Sequence, residues 1–87
     1  MFLYLGSETT VRSDDVIGIF DLDNTTVSRH TRDFLRRAEQ NKIVRYVNFE
    51  LPKSFVLTEK NGENRIYVSQ ISTTTLLKRS KLIDRLQ

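Results

Sequence analysis

Val16-Ile17-Gly18-Ile19-Phe20-Asp21-Leu22-Asp23-Asn24-Thr25 is the stretch on which the reading of this chain turns. Val16 to Phe20 is apolar, largely β-branched and only a few residues long, so it reads as a buried strand. Gly18 inside it marks a bulge or the close approach of another backbone. Asp21 to Thr26 is a polar loop in which Asp23 and Asn24 favour turns. Thr25, Thr26 or Ser28 can cap the helix that follows, and acids ahead of that helix suit its dipole.

Downstream, Val27 to about Asn41 reads as an amphipathic helix. Val27, Thr31, Phe34, Leu35 and Ala38 share one face, with Arg29, Arg32 and Arg36 opposite and Arg37 at the flank. Ile43 to Phe49 alternates like a strand, and Leu51-Pro52 ends it because proline cannot donate to a ladder. Ser54 to Thr58 and Arg65 to Ile71 read as a hairpin turned by Asn61-Gly62, both of which accept positive φ. Ser72 caps a last helix to about Leu86, with Leu76, Ser80, Ile83 and Leu86 inward and Lys78, Lys81 and Arg85 outward. Upstream, Phe2 to Leu5 and Thr9 to Arg12 are short strands about a Gly6-Ser7-Glu8 turn, and Ser13-Asp14-Asp15 suits one helical turn. The expected fold is α+β: one domain over residues 1–87, a small, mostly antiparallel sheet, one internal amphipathic helix and one C-terminal helix.

Composition narrows the function. With 38% hydrophobic and 29% charged residues, the chain suits a globular domain rather than a disordered one. The absence of cysteine excludes disulfides and thiolate metal sites, and fits the cytoplasm. The apolar runs are too short for a membrane span, and Met1 to Leu5 lacks the pattern of a signal peptide. Neither a membrane nor a small-molecule substrate is expected as a partner, and no cofactor.

An apolar strand ending in Asp-Leu-Asp-Asn-Thr resembles the first motif of haloacid-dehalogenase-type phosphohydrolases. In that chemistry one Asp attacks phosphorus and a second acts as acid/base beside Mg²⁺. It also needs a phosphate-holding hydroxyl and Lys and further metal-binding acids from a large doubly wound sheet. Eighty-seven residues do not supply them, so Asp21 and Asp23 read as shaping the turn. His30, the only histidine, sits among arginines and reads as surface. No Ser-His-Asp arrangement or glycine-rich phosphate loop is present. An enzyme is not expected, and a Mg-dependent phosphohydrolase is the remote alternative.

The charge is uneven. Residues 1–28 set Arg12 against Glu8, Asp14, Asp15, Asp21 and Asp23, a net of −4, so the remainder carries +7 of the total +3. Arg29, Arg32, Arg36, Arg37 and Arg45 crowd the middle; Lys53 follows Pro52 on a turn; Lys78 and Lys81 lie in the last helix. These eight are the candidate DNA-binding residues. A basic surface meets a polyanion, acidic and basic ends meet between subunits head to tail, or the charge is simply solvated. No helix-turn-helix or zinc-finger pattern is visible.

Several pieces, in order and spacing, resemble one family over nearly the whole length. They are Tyr4-Leu5-Gly6, Val16-Ile17-Gly18-Ile19-Phe20-Asp21, Asp23-Asn24-Thr25-Thr26-Val27-Ser28, Leu51-Pro52-Lys53-Ser54, Ser69-Gln70-Ile71-Ser72 and Thr75-Leu76-Leu77-Lys78-Arg79. Together they are similar to the bacterial extracellular-matrix regulators of the RemA/RemB type, and closest to the RemB-like branch. The resemblance implies a cytoplasmic regulator of matrix or biofilm genes, and a ring-like homo-oligomer that engages double-stranded DNA. RemA-type chains carry an Arg where Asp15 stands and an Arg pair where Glu50 and Leu51 stand; only Lys53 matches. Those departures leave the helix arginines as the alternative DNA contacts, and a protein-binding adaptor ring as the second reading.

Overall fold

The computed structural model describes residues 1–22 and 28–85, with side chains in the last helix described as far as Ser80. In chain order the elements are β1 (Phe2–Gly6), β2 (Thr9–Arg12), a 3₁₀ turn (Ser13–Asp15), β3 (Val16–Asp21), α1 (Arg29–Gln40), β4 (Val44–Tyr46), β5 (Ser54–Lys60), β6 (Glu63–Ser69) and α2 (Thr73–Arg85). The α+β fold expected from sequence is the observed one. Asp23, Val27 and the expected caps Thr25 and Thr26 lie outside the described residues, as do Leu86 and the side chains of Lys81, Ile83 and Arg85.

Four strands form one sheet in the order β3-β5-β6-β4, and β1 pairs with β2 as a separate hairpin. The β3–β5 and β5–β6 pairings are antiparallel; β4 joins β6 in parallel. A chain leaving one edge strand, β3, must cross the sheet to reach the other edge, β4, and α1 is that crossover. Alternation along β5 and β6 then sorts the core. Phe55, Ile66 and Val68 pack against Ala38 and Leu35 of α1. Val56 points the other way, into a cluster with Leu3, Leu5 and Val11 of the hairpin and Leu76 of α2. The domain is therefore three layers: α1, the sheet, and the hairpin with α2.

Buried hydroxyls stitch the layers. Ser69 Oγ donates to the Leu5 carbonyl at 2.7 Å and accepts from the Ile71 amide at 3.0 Å; Ser54 Oγ donates to the Ile71 carbonyl at 2.7 Å. Both serine hydroxyls are satisfied, as a packed interior requires. The helix caps are also in place. Ser28 Oγ accepts from the Thr31 amide at 3.1 Å, and Ser72 Oγ from the Thr75 amide at 3.3 Å.

Two expectations change. The Val16–Phe20 segment is a strand but not a buried one: β3 is an edge, with Ile17 55% and Phe20 43% exposed. Apolar character alone does not separate a central strand from an edge whose side chains await a neighbour. The strand read over Ile43–Phe49 shrinks to Val44–Tyr46. After Val47 donates to the Val68 carbonyl, the chain leaves the sheet because its continuation must rise over β6 to enter β5. Gly18 sits where expected, at a bulge: the β3–β5 register slips between Val16 and Gly18.

Candidate nucleic-acid interface

α1 presents its arginines as the sequence spacing requires. Thr31, Leu35 and Ala38 turn inward, so Arg29, Arg32 and Arg36 form a stripe on the far side, all exposed. At 1.5 Å rise per residue the stripe is about 10 Å long. Arg37 is exposed beside it, in the last turn, where a cation is favoured by the helix dipole. Arg29 is the opposite case. It occupies the first helical position, and no acid stands in that first turn. The dipole disfavours a cation there, so Arg29 does nothing for the helix; it adds to the positive potential that a helix N-terminus already projects.

Arg36 is only lightly neutralised. Arg36 pairs with Asp33 at 3.0 Å across an exposed i,i+3 contact, with Arg36 67% and Asp33 35% exposed. Such a pair is worth about 1 kcal/mol or less, too little to withhold Arg36 from a phosphate.

The remaining candidates do not extend this surface. Arg45 is exposed on edge strand β4, but its Nη1 turns back to donate to the Lys42 and Val44 carbonyls at 2.9 and 3.2 Å. Its register partner is Tyr67, which packs on the hairpin side, so Arg45 emerges from the sheet away from α1. Lys53 is exposed at the entrance to β5, its amide bound to the Ser69 carbonyl and its carbonyl to the Leu22 amide. Lys78 is exposed on α2, on the opposite side of the sheet from α1. Lys81 follows it in the same helix. One subunit thus carries two basic faces, and no flat surface meets both.

Three further features were not legible as functional. Arg79 is drawn inward, donating to the Tyr4 carbonyl at 3.0 Å. Phe49 and Leu51 stand out from the β4–β5 loop, 102% and 79% exposed. A cleft of ≈ 570 Å³ lies between β2 and the β5–β6 turn, with Arg12, Lys60 and Arg65 against Asp15 and Glu63. The apolar residues beside Pro52 were the available signal for the loop; nothing in the sequence pointed to the cleft. Of the acid pair, Asp21 is exposed at the end of β3 and Asp23 lies outside the described residues.

A protein 36% identical to this chain over 83 residues is extracellular matrix regulatory protein B of Bacillus subtilis (strain 168), and the match covers 95% of this chain and 94% of that protein. This chain belongs to the RemA/RemB-type extracellular matrix regulatory family. No protein-family model matches it. Asp15 closes the 3₁₀ turn before β3 and is half-buried, while Glu50 and Leu51 are exposed on the β4–β5 loop. Among the described residues no helix is long and apolar enough to cross a membrane.

Proposed function

We propose that this chain is a non-enzymatic cytoplasmic regulator of extracellular matrix genes that acts as a homo-oligomer on double-stranded DNA. Membership of the matrix-regulator family supports the regulatory role. The observation that carries the DNA reading is the α1 stripe: Arg29, Arg32 and Arg36 stand in line and exposed, and the Arg36–Asp33 contact is weak. Contacts of this kind go to phosphates, so recognition rests on backbone and shape more than on base edges. One stripe binds weakly, and an assembly presenting several copies multiplies it by raising effective concentration. Arg37 flanks that stripe; Arg45, Lys53, Lys78 and Lys81 serve only where assembly or a wrapped duplex brings a second face to DNA.

The β4–β5 loop favours a protein partner alongside this. Where basic residues would meet DNA, it offers Phe49 and Leu51, the composition of a protein contact. A gel-shift titration with generic duplex DNA separates the readings. A retarded species at low salt that fades as salt rises is the expected result; no retardation at any protein concentration leaves the adaptor reading alone.

A further inference from the structure

Phe49 is fully exposed, yet the loop that carries it is fixed. The Val47 amide is held by the Val68 carbonyl at 2.9 Å and the Lys53 amide by the Ser69 carbonyl at 2.9 Å. Between them Asn48 Oδ1 accepts from the Glu50 amide at 3.2 Å, and Asn48 Nδ2 donates to Ser7 Oγ at 3.3 Å, tying the loop to the hairpin layer. A pinned loop with Phe49 and Leu51 in solvent is a preformed apolar knob.

The same chain carries an apolar recess. Phe20, Phe34, Phe55 and Leu57, with His30 and Thr31, line a groove of ≈ 290 Å³ between α1 and edge strand β3. Phe20 and Phe34 are 43% and 42% exposed. Phe20 stacks on Phe55 at 4.7 Å between centroids, so the floor is built rather than accidental. The groove opens on the α1 face, whereas the knob is tied to the hairpin layer, so neither serves the other within one subunit.

Charge adds to the apolar match. Glu50 lies between the two knob residues, and the groove's rim holds His30 with exposed Arg29 beside it. We propose that Phe49 and Leu51 of one copy of this chain insert into the Phe20–Phe34 groove of a second copy, making a heterologous contact. Two different surfaces meet, so the contact propagates from subunit to subunit and closes where the rotation allows. This rests on the self-association proposed above and names its interface.

Light scattering on the full chain and three variants tests it. The wild type is expected to show a mass that is a multiple of 10.2 kDa. The knob variant Phe49→Asp/Leu51→Asp and the groove variant Phe34→Glu should each fall to one subunit, with circular dichroism unchanged. Thr31→Tyr, which fills the groove instead of charging it, does the same and covers any misfolding of Phe34→Glu. Mixed, the knob and groove variants retain one intact knob and one intact groove, and a species of two subunits should return. A wild type that is monomeric at every concentration overturns the self-association itself. An oligomeric wild type whose knob variant stays assembled, or variants that fail to pair on mixing, overturn the knob-and-groove contact alone.

Discussion

Arg79 of α2 donates to the Tyr4 carbonyl of β1 at 3.0 Å, and its guanidinium carbon lies 5.5 Å from the centroid of the Tyr4 ring. One side chain thus closes the C-terminal helix onto the N-terminal hairpin across 75 residues. A charge-assisted hydrogen bond and a partly exposed cation–π contact together stabilise by about 1–3 kcal/mol. Arg79→Ala should lower the urea midpoint accordingly. Arg79→Lys should recover little of it, because an ammonium does not offer a planar face and a forked donor at once.

Gly18 leaves room for Phe20. A Cβ at position 18 would stand 2.8 Å from the Phe20 ring, which must then swing away from Phe55. Phe20 is half exposed and can move, so Gly18→Ala should unfold nothing. The expected loss is that of an aromatic pair, about 1 kcal/mol, with a weakened near-ultraviolet signal. An unchanged near-ultraviolet spectrum would contradict the packing described.

Tyr46 on β4 hydrogen-bonds Glu39 of α1. That bond, then burial, then the carboxylate's charge, raise the phenol above its ordinary value of 10.0. A phenol harder to ionise in the fold contributes stability that is present below pH 10 and lost as pH rises through the raised value. Wild-type stability should therefore fall more steeply above pH 10 than that of Tyr46→Phe, and denaturant melts at several alkaline pH values read the difference.

Arg29 sets helix stability against binding. Replacing a cation at the first helical position by Glu should stabilise α1 by about 0.3–1 kcal/mol. The same change should weaken DNA binding. A thermal melt and a DNA titration on Arg29→Glu should thus move in opposite directions; a variant that loses both stability and binding would show that Arg29 has a structural partner instead.

Local chemistry was the readable part of this fold. Ser28 and Ser72 as caps, Asn61-Gly62 as the hairpin turn, with φ of 54° and 81°, and Gly18 at a bulge all follow from residue type at short range. Long-range placement was not readable. Nothing in Val16–Phe20 says that β3 is an edge, and nothing in Arg45 says that β4 runs parallel to β6 and turns that side chain from α1. The candidate site divides on the same line. Spacing alone gathers Arg29, Arg32 and Arg36 on one helix face. Whether Lys78 joins them depends on which side of the sheet α2 packs, and that is decided by tertiary contacts between Leu76, Val56 and Leu5.

The opposite placement of the two basic helices gives the most direct test of DNA binding through α1. Affinity for a generic duplex is measured across a salt series for the wild type, for Arg29→Glu/Arg32→Glu/Arg36→Glu and for Lys78→Glu, with assembly checked by light scattering. The wild type should lose affinity steeply with salt, with a log–log slope of roughly −0.9 for each phosphate contacted. The triple reversal should abolish binding while the fold persists, and Lys78→Glu should change little. Binding that survives the triple reversal, or that ignores salt, would contradict the account.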